Sequence, residues 1–210
     1  MAELTHTLDS EVLEEIVRRI DTSSADRRDI FLVVFNPTPR RRDEIVSATV
    51  DFPLEWEVSS FRIFDHAGRE VPLQELSAVE DKATFQRPNE LPLRLPVRRH
   101  TIYIRADDLP AMGYRLYRIQ AGKGYQHRHG SMVTAPGTIE NAHLRLSVNG
   151  DGSIDLLHKP TGKLFRRLNH FMDISELGDP WTGRHSQEER AVLSLGRPAE
   201  IEIIEDGPLA

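Results

Sequence analysis

Between Ile45 and Pro53 apolar and polar residues take strict turns, with Val46, Ala48, Val50 and Phe52 separated by Ser47, Thr49 and Asp51. A period of two suits only an extended strand with one face buried and the other wet, because successive side chains leave a pleated backbone on opposite sides. Extended segments recur along most of the chain. "FRIFDHAGREVPLQ" reads as two short strands around a turn in which Gly68 supplies a positive φ. "HTIYIRA" and "YRLYRI" read as two more, joined by "DDLPAMG". Short strands with turn signals every ~8–12 residues predict an antiparallel β-sandwich. The continuous apolar run Ile30–Phe35 predicts a strand covered on both faces.

Helical periodicity is clear in one place. In "DSEVLEEIVRRI", Val12, Leu13, Ile16, Val17 and Ile20 form one stripe, Asp9 is a candidate N-cap, and Glu14/Arg18 and Glu15/Arg19 are favourable i,i+4 pairs. This stripe needs a partner, either the sheet that follows or a surface outside the chain. With 210 residues, 39% hydrophobic and 29% charged, the chain can build a sizeable core. Its net charge of −6 argues against a nucleic-acid module. The chain has no cysteine, which excludes disulfides and thiolate chemistry and is compatible with the cytoplasm, the expected compartment. No apolar run approaches the ~20 residues of a membrane span, and the segment Met1–Asp9 does not read as a signal peptide.

A boundary is expected at "TAPG", Thr134–Gly137, giving a linker helix over 1–29, a β-sandwich over 30–135 and a second β domain over 136–210. In the second, Leu144, Leu146 and Val148 alternate, "NGDG" makes a tight turn, and "SIDLLHK" returns to a further turn at Pro160-Thr161-Gly162. The final "AEIEIIEDGPLA" reads as a strand with no closing element, so this domain is expected to be the beginning of a larger one.

The segments "VVFNPTPRRRDEIVSATVDFP", "DHAGREVPLQ", "DDLPAMGYRLYRI", "IENAHLRLSVNGDGSIDLLHKPTGKLF" and "EDGPLA" together resemble the region C-terminal to the catalytic barrel in glycoside hydrolase family 38, the α-mannosidases. They occur in the family's order and span roughly Ile30 to Ala210. The resemblance implies a mainly β fold, a sandwich followed by the start of a supersandwich-like second domain. It implies a parent enzyme performing retaining hydrolysis of α-mannosides, with a nucleophilic carboxylate and an acid/base carboxylate. It also implies a zinc ion in a preceding α/β barrel, held by histidine and aspartate. No barrel motif is found in these 210 residues, so no catalytic or zinc-binding residue is assigned to them. The expected partners are the enzyme's own barrel and helical domain and a mannoside substrate, with neither nucleic acid nor membrane.

Individual residues have physical readings of their own. Asn36-Pro37 ends a strand, since proline cannot continue a ladder and asparagine can bond nearby backbone. Arg40-Arg41-Arg42 precedes Asp43-Glu44, so it reads as a charge-balanced bend at a sheet rim before it reads as an anion patch. Asp107-Asp108 reads as a turn, and Asn141 as a strand-start residue bonding backbone. His127 and His129 could face one side of a strand and hold a metal, but no third ligand is evident and a solvated loop fits better. The segment "NHFMDISELGDPW" resembles a family loop that reaches the sugar site. That implies substrate contact for Asp179 and Trp181, with tryptophan where the family more often has tyrosine. Two other function classes fit the sequence less well. A stand-alone carbohydrate-binding sandwich has a thin aromatic supply in Trp56 and Trp181, and an immunoglobulin-like adhesion module leaves the ordered motifs unexplained.

Overall fold

The computed structural model describes residues 12–23, 25–87, 90–124, 130–174, 178, 181 and 191–209. The fold is mainly β, with one helix (α1, described over 12–18) and antiparallel sheets throughout. The chain divides into two compact units, one over 1–129 with Leu209 and the other over 130–208 with Ala210.

Two sheets build the first unit. Strands β1 (Asp29–Asn36), β3 (Ser60–Phe64), β4 (Glu70–Val71) and β7 (Gly113–Gly122) form a four-stranded sheet in the order β1-β7-β3-β4. Strands β2 (Arg42–Pro53), β5 (Leu73–Arg87) and β6 (Glu90–Leu109) form a three-stranded sheet in the order β2-β6-β5. Their inner faces share one core: Phe52, Ile102, Ile104 and Ala106 from one sheet, and Phe61, Ile63, Tyr117 and Ile119 from the other. Val46, Ala48, Val50 and Phe52 do point inward, becoming more buried towards Phe52, while Ser47 and Thr49 face solvent. His100 is buried with them, edge-on to Phe52 and Phe61, with its Nδ1 3.5 Å from the Glu75 carboxylate. On the wet face, Arg99 grips Asp51 on β2 with two 2.8 Å bonds and Asp81 on β5 with a third.

Asp107 and Asp108, expected in a turn, lie within β6, and the final segment, expected as a strand, is irregular over 199–206. Two further elements differ from the sequence expectation. Strand β1 is an edge strand, paired only with β7; its apolar run is half-covered on both sides, the outer side by Phe35 against Tyr114 at 5.7 Å. The other difference is the long β5–β6 hairpin, whose charged outer face and Pro92 and Pro96 disguise it. The β2–β6 ladder stops at Pro53↔Val97, so both prolines fall where β6 pairs with β5 alone. A strand tolerates proline where the missing N–H would have faced an open edge. The stripe of α1 is also uncovered, with Val12, Leu13, Ile16 and Val17 all exposed, so the following sheet does not serve as its partner in this chain. Its two i,i+4 ion pairs form as expected.

One buried side chain fastens the rim of the sandwich. Asn36, 3% exposed, donates through Nδ2 to the carbonyls of Arg40 (2.7 Å) and Pro110 (2.9 Å), and accepts at Oδ1 from the N–H (3.1 Å) and hydroxyl (2.7 Å) of Thr38. Thr38 in turn accepts the Met112 N–H at 2.9 Å, so the β1–β2 and β6–β7 turns are tied to one residue. The arginine bend beside it is neutralised by acids: Arg41 pairs with Asp108, Arg42 with Glu44 at 2.5 Å, and Asp43 accepts the Asp108 N–H at 2.7 Å.

The second unit has a five-stranded antiparallel sheet in the order β12-β11-β10-β9-β8. Its strands are β8 (Val133–Ala135), β9 (Thr138–Glu140), β10 (Leu144–Val148), β11 (Ile154–His158) and β12 (Lys163–Leu168). A two-stranded ribbon, β13 (Met172–Asp173) with β14 (Val192–Leu193), follows. Register partners share a side of a sheet, so Val133, Ile139, Leu146, Leu156 and Phe165 form one apolar row across all five strands. None of the five is fully buried, and Ile139 and Phe165 are exposed. Among the described residues of this unit no apolar side chain is buried; Ser153 is the side chain that is.

Asn36→Ala removes one donor and one acceptor from a closed network and strands the Pro110 carbonyl. The expected loss is about 2–3 kcal/mol of unfolding free energy, read from urea denaturation of the whole chain. A loss below about 0.5 kcal/mol would show that the turns hold without it.

Candidate functional site

The chemistry-bearing side chains of the second unit gather where the sheet meets the ribbon. Asp151, in the turn between β10 and β11, is the centre. Its Oδ1 accepts from the Ser153 N–H (3.0 Å) and hydroxyl (2.6 Å), and its Oδ2 accepts from the Gly196 N–H (2.9 Å) beyond β14. The turn is possible because Gly152 adopts φ +77°, a conformation glycine takes without steric cost. Ala199 closes the same junction by donating to the Gly150 carbonyl at 3.0 Å. Asp155 accepts from the Arg167 N–H (2.8 Å) and from Asn149 Nδ2 (3.3 Å).

The ribbon is the stem of the segment 174–191. Phe171 and Ser194 close its base with reciprocal 3.0 Å bonds, from the Phe171 N–H to Ser194 Oγ and from the Ser194 N–H to the Phe171 carbonyl. At the stem Phe171 is 73% exposed and Met172 60%, and Trp181, between the two strands in sequence, is 91% exposed. Of the two substrate-contact residues expected from the sequence, Trp181 is exposed on a turn, while Asp179 lies outside the described residues. His127 and His129 also lie outside them. Sequence reasoning missed Phe171, Met172 and the ribbon, because two-residue strands far apart in the chain leave no periodic signal.

The ionised groups here are acceptors rather than proton donors. Hydrogen bonds from Ser153 and the Gly196 amide hold Asp151 down to about 2, and those from Arg145 and Lys159 hold Glu140 down to about 2. Asp155 is lowered first by the Arg167 amide. Glu140 bridges Arg145 (2.6 Å) and Lys159 (2.5 Å), and Lys159 also donates to the Asn141 carbonyl. Asn141 Oδ1 accepts the amides of His143 and Leu144 at 2.8 Å each, a turn at the start of β10. A general acid needs its pKa raised towards the working pH; at this site Glu140, Asp151 and Asp155 are all displaced downward. Among the described residues no three histidine, aspartate or glutamate side chains are gathered as a metal site requires.

No family model and no curated protein matches the sequence. Solved structures do match in fold. An α-mannosidase from Enterococcus faecalis V583 superposes with a TM-score of 0.82 at 17% identity, over 98% of this chain and 25% of its own. A protein in glycosyl hydrolase family 38 from Enterococcus faecalis superposes with a TM-score of 0.78 at 18% identity, over 98% of this chain and 26% of its own. The chain therefore shares its fold with, and spans about a quarter of the length of, these larger proteins.

The depressed carboxyls fix a pH response. Glu140 and Asp151 sit lower when folded than when unfolded, so their stabilisation is present above about pH 4.5 and drains away as pH falls towards 2. Thermal unfolding should show Tm falling between pH 5 and pH 3. Glu140→Gln should lower Tm at pH 7 and flatten part of that fall; an unchanged slope would remove Glu140 from the account.

Proposed function

We propose that this chain is a non-catalytic β-domain portion of a family 38 glycoside hydrolase, an α-mannosidase-like enzyme of carbohydrate catabolism, where it buttresses the catalytic barrel and lines part of the sugar site. The observation that carries this reading is the fold match that takes in 98% of this chain but a quarter of each matched protein. Two surfaces favour it. Among the described residues the apolar row Val133–Ile139–Leu146–Leu156–Phe165 is at most half-covered, and the stripe of α1 is exposed with no second helix beside it. In this reading further strands cover the first, and the barrel and helical domain cover the second. Zinc and the two carboxylates of the retaining reaction belong to the barrel, and no step of that reaction is assigned to the residues here.

Within the enzyme, the segment carried by the β13–β14 stem reaches the sugar. Trp181 offers a flat apolar face to a sugar ring and an indole N–H, and Asp179 accepts hydroxyl protons. The competing reading, a carbohydrate-binding module that works alone, draws on the same exposed tryptophan.

The 210-residue chain should not hydrolyse 4-nitrophenyl α-mannoside, with or without added zinc, whereas a longer protein carrying it behind its barrel should. Turnover by the chain alone would end this reading. In the longer enzyme Trp181→Ala should raise KM about 3–10-fold with a smaller effect on kcat, about 1 kcal/mol of lost ring contact. An unaltered KM would take Trp181 off the sugar. Calorimetry of the isolated chain with mannose separates the binding-module reading, which requires affinity without the barrel.

A further inference from the structure

The register of β11 and β12 places an unusual set of cations together. Ile154 pairs with Leu168 and Leu156 with Phe165, so one residue, Asp155, stands opposite two, Arg166 and Arg167. Such a bulge re-aims side chains, and bulges concentrate near functional sites. Arg167 takes the left-handed conformation, φ +53°, at a cost of roughly 1 kcal/mol for a residue with a β-carbon. Both arginines line a cleft of about 600 Å³, and Arg197, from the segment after β14, lines it as well. That volume suits a small molecule rather than a bare ion.

Two carboxylates share this cleft, but neither captures a guanidinium. The oxygens of Asp151 are taken by Ser153 and the Gly196 amide, and Asp155 is taken by the Arg167 amide and Asn149. Among the described residues none of the three guanidinium groups makes a hydrogen bond or an ion pair. Three cations against two anions leave one positive charge in excess, in a protein whose net charge is −6. The contrast with the arginine bend at 40–42 is direct, since there Arg41 and Arg42 each have a carboxylate partner. A planar guanidinium fork matches the paired oxygens of phosphate and carboxylate, and a ligand hydroxyl can donate to Asn149 Oδ1 in the cleft lining.

We propose that the cleft between the β11–β12 bulge and Arg197 is a binding site for a small polyhydroxylated oxyanion, a sugar bearing a phosphate or a carboxylate. This site does not rest on the α-mannosidase reading and requires no barrel.

The test is calorimetric titration of the whole chain with a hexose 6-phosphate, a hexuronate and the uncharged hexose, at low and at physiological salt. The expected result is that at least one anionic sugar binds more than tenfold tighter than the uncharged hexose, with affinity falling as salt rises. Whichever anionic sugar binds tighter identifies the oxyanion. Arg166→Gln combined with Arg197→Gln should weaken binding at least tenfold while leaving the circular dichroism spectrum unchanged, since both side chains are exposed. Arg166→Gln alone serves if the double variant misfolds. Equal affinity for the uncharged hexose, undiminished affinity in the variant, or no binding of either anionic sugar would overturn the site.

Discussion

The first unit depends on Asn36. A sandwich whose two sheets exchange strands must turn sharply at its rim, and each turn exposes carbonyls and amides that have no ladder to join. Asn36 donates to a carbonyl in each of the two turns, Arg40 in one and Pro110 in the other, and accepts from Thr38 in the first, so the two chain reversals beside β1 are satisfied by one amide. Pro37, which follows, stops the strand and prevents the ladder from competing for the same groups. With the rim closed, the inward residues of β2, β6 and β7 face one another, and the core of Phe52, Ile104 and Tyr117 can form without unpaired polar backbone at its edge.

The second unit is organised by the opposite logic. Its best-fixed parts are polar: the Asp151 junction, the Asp155–Arg167 amide bond and the Glu140 bridge with Arg145 and Lys159. Its aligned apolar residues are half-covered or exposed among the described residues. Hydrogen bonds therefore do much to set the shape of this sheet.

Much of this was legible in the sequence wherever a physical rule acts locally. The alternation through Val46–Phe52 gave the inward face of β2, and Asn36-Pro37 marked a strand end. Glu14/Arg18 and Glu15/Arg19 named the helix pairs. What escaped was non-local. The apolar run of β1 implied a covered strand, yet whether a strand lies at an edge depends on how many neighbours the topology provides. The β5–β6 hairpin escaped because its outward residues are charged and its prolines sit where only pairing to one side is needed. Trp181 was named through the family resemblance, and the structure shows it exposed on a turn. The arginine cleft was not legible, because a bulge exists only in the register between two strands.

The lengths of the connections in the first unit have a further consequence. Arg87 pairs with Glu90 at the tip of the β5–β6 hairpin, whereas Asn36 pairs with Gly113 at the end of β1 and β7. Closing the longer loop costs roughly 2.5 kcal/mol more chain entropy than closing the shorter one. The hairpin can therefore assemble early from its own cross-strand contacts. Its β6 strand then offers an edge to which β2 pairs, whereas β1 must reach β7 across the longer loop.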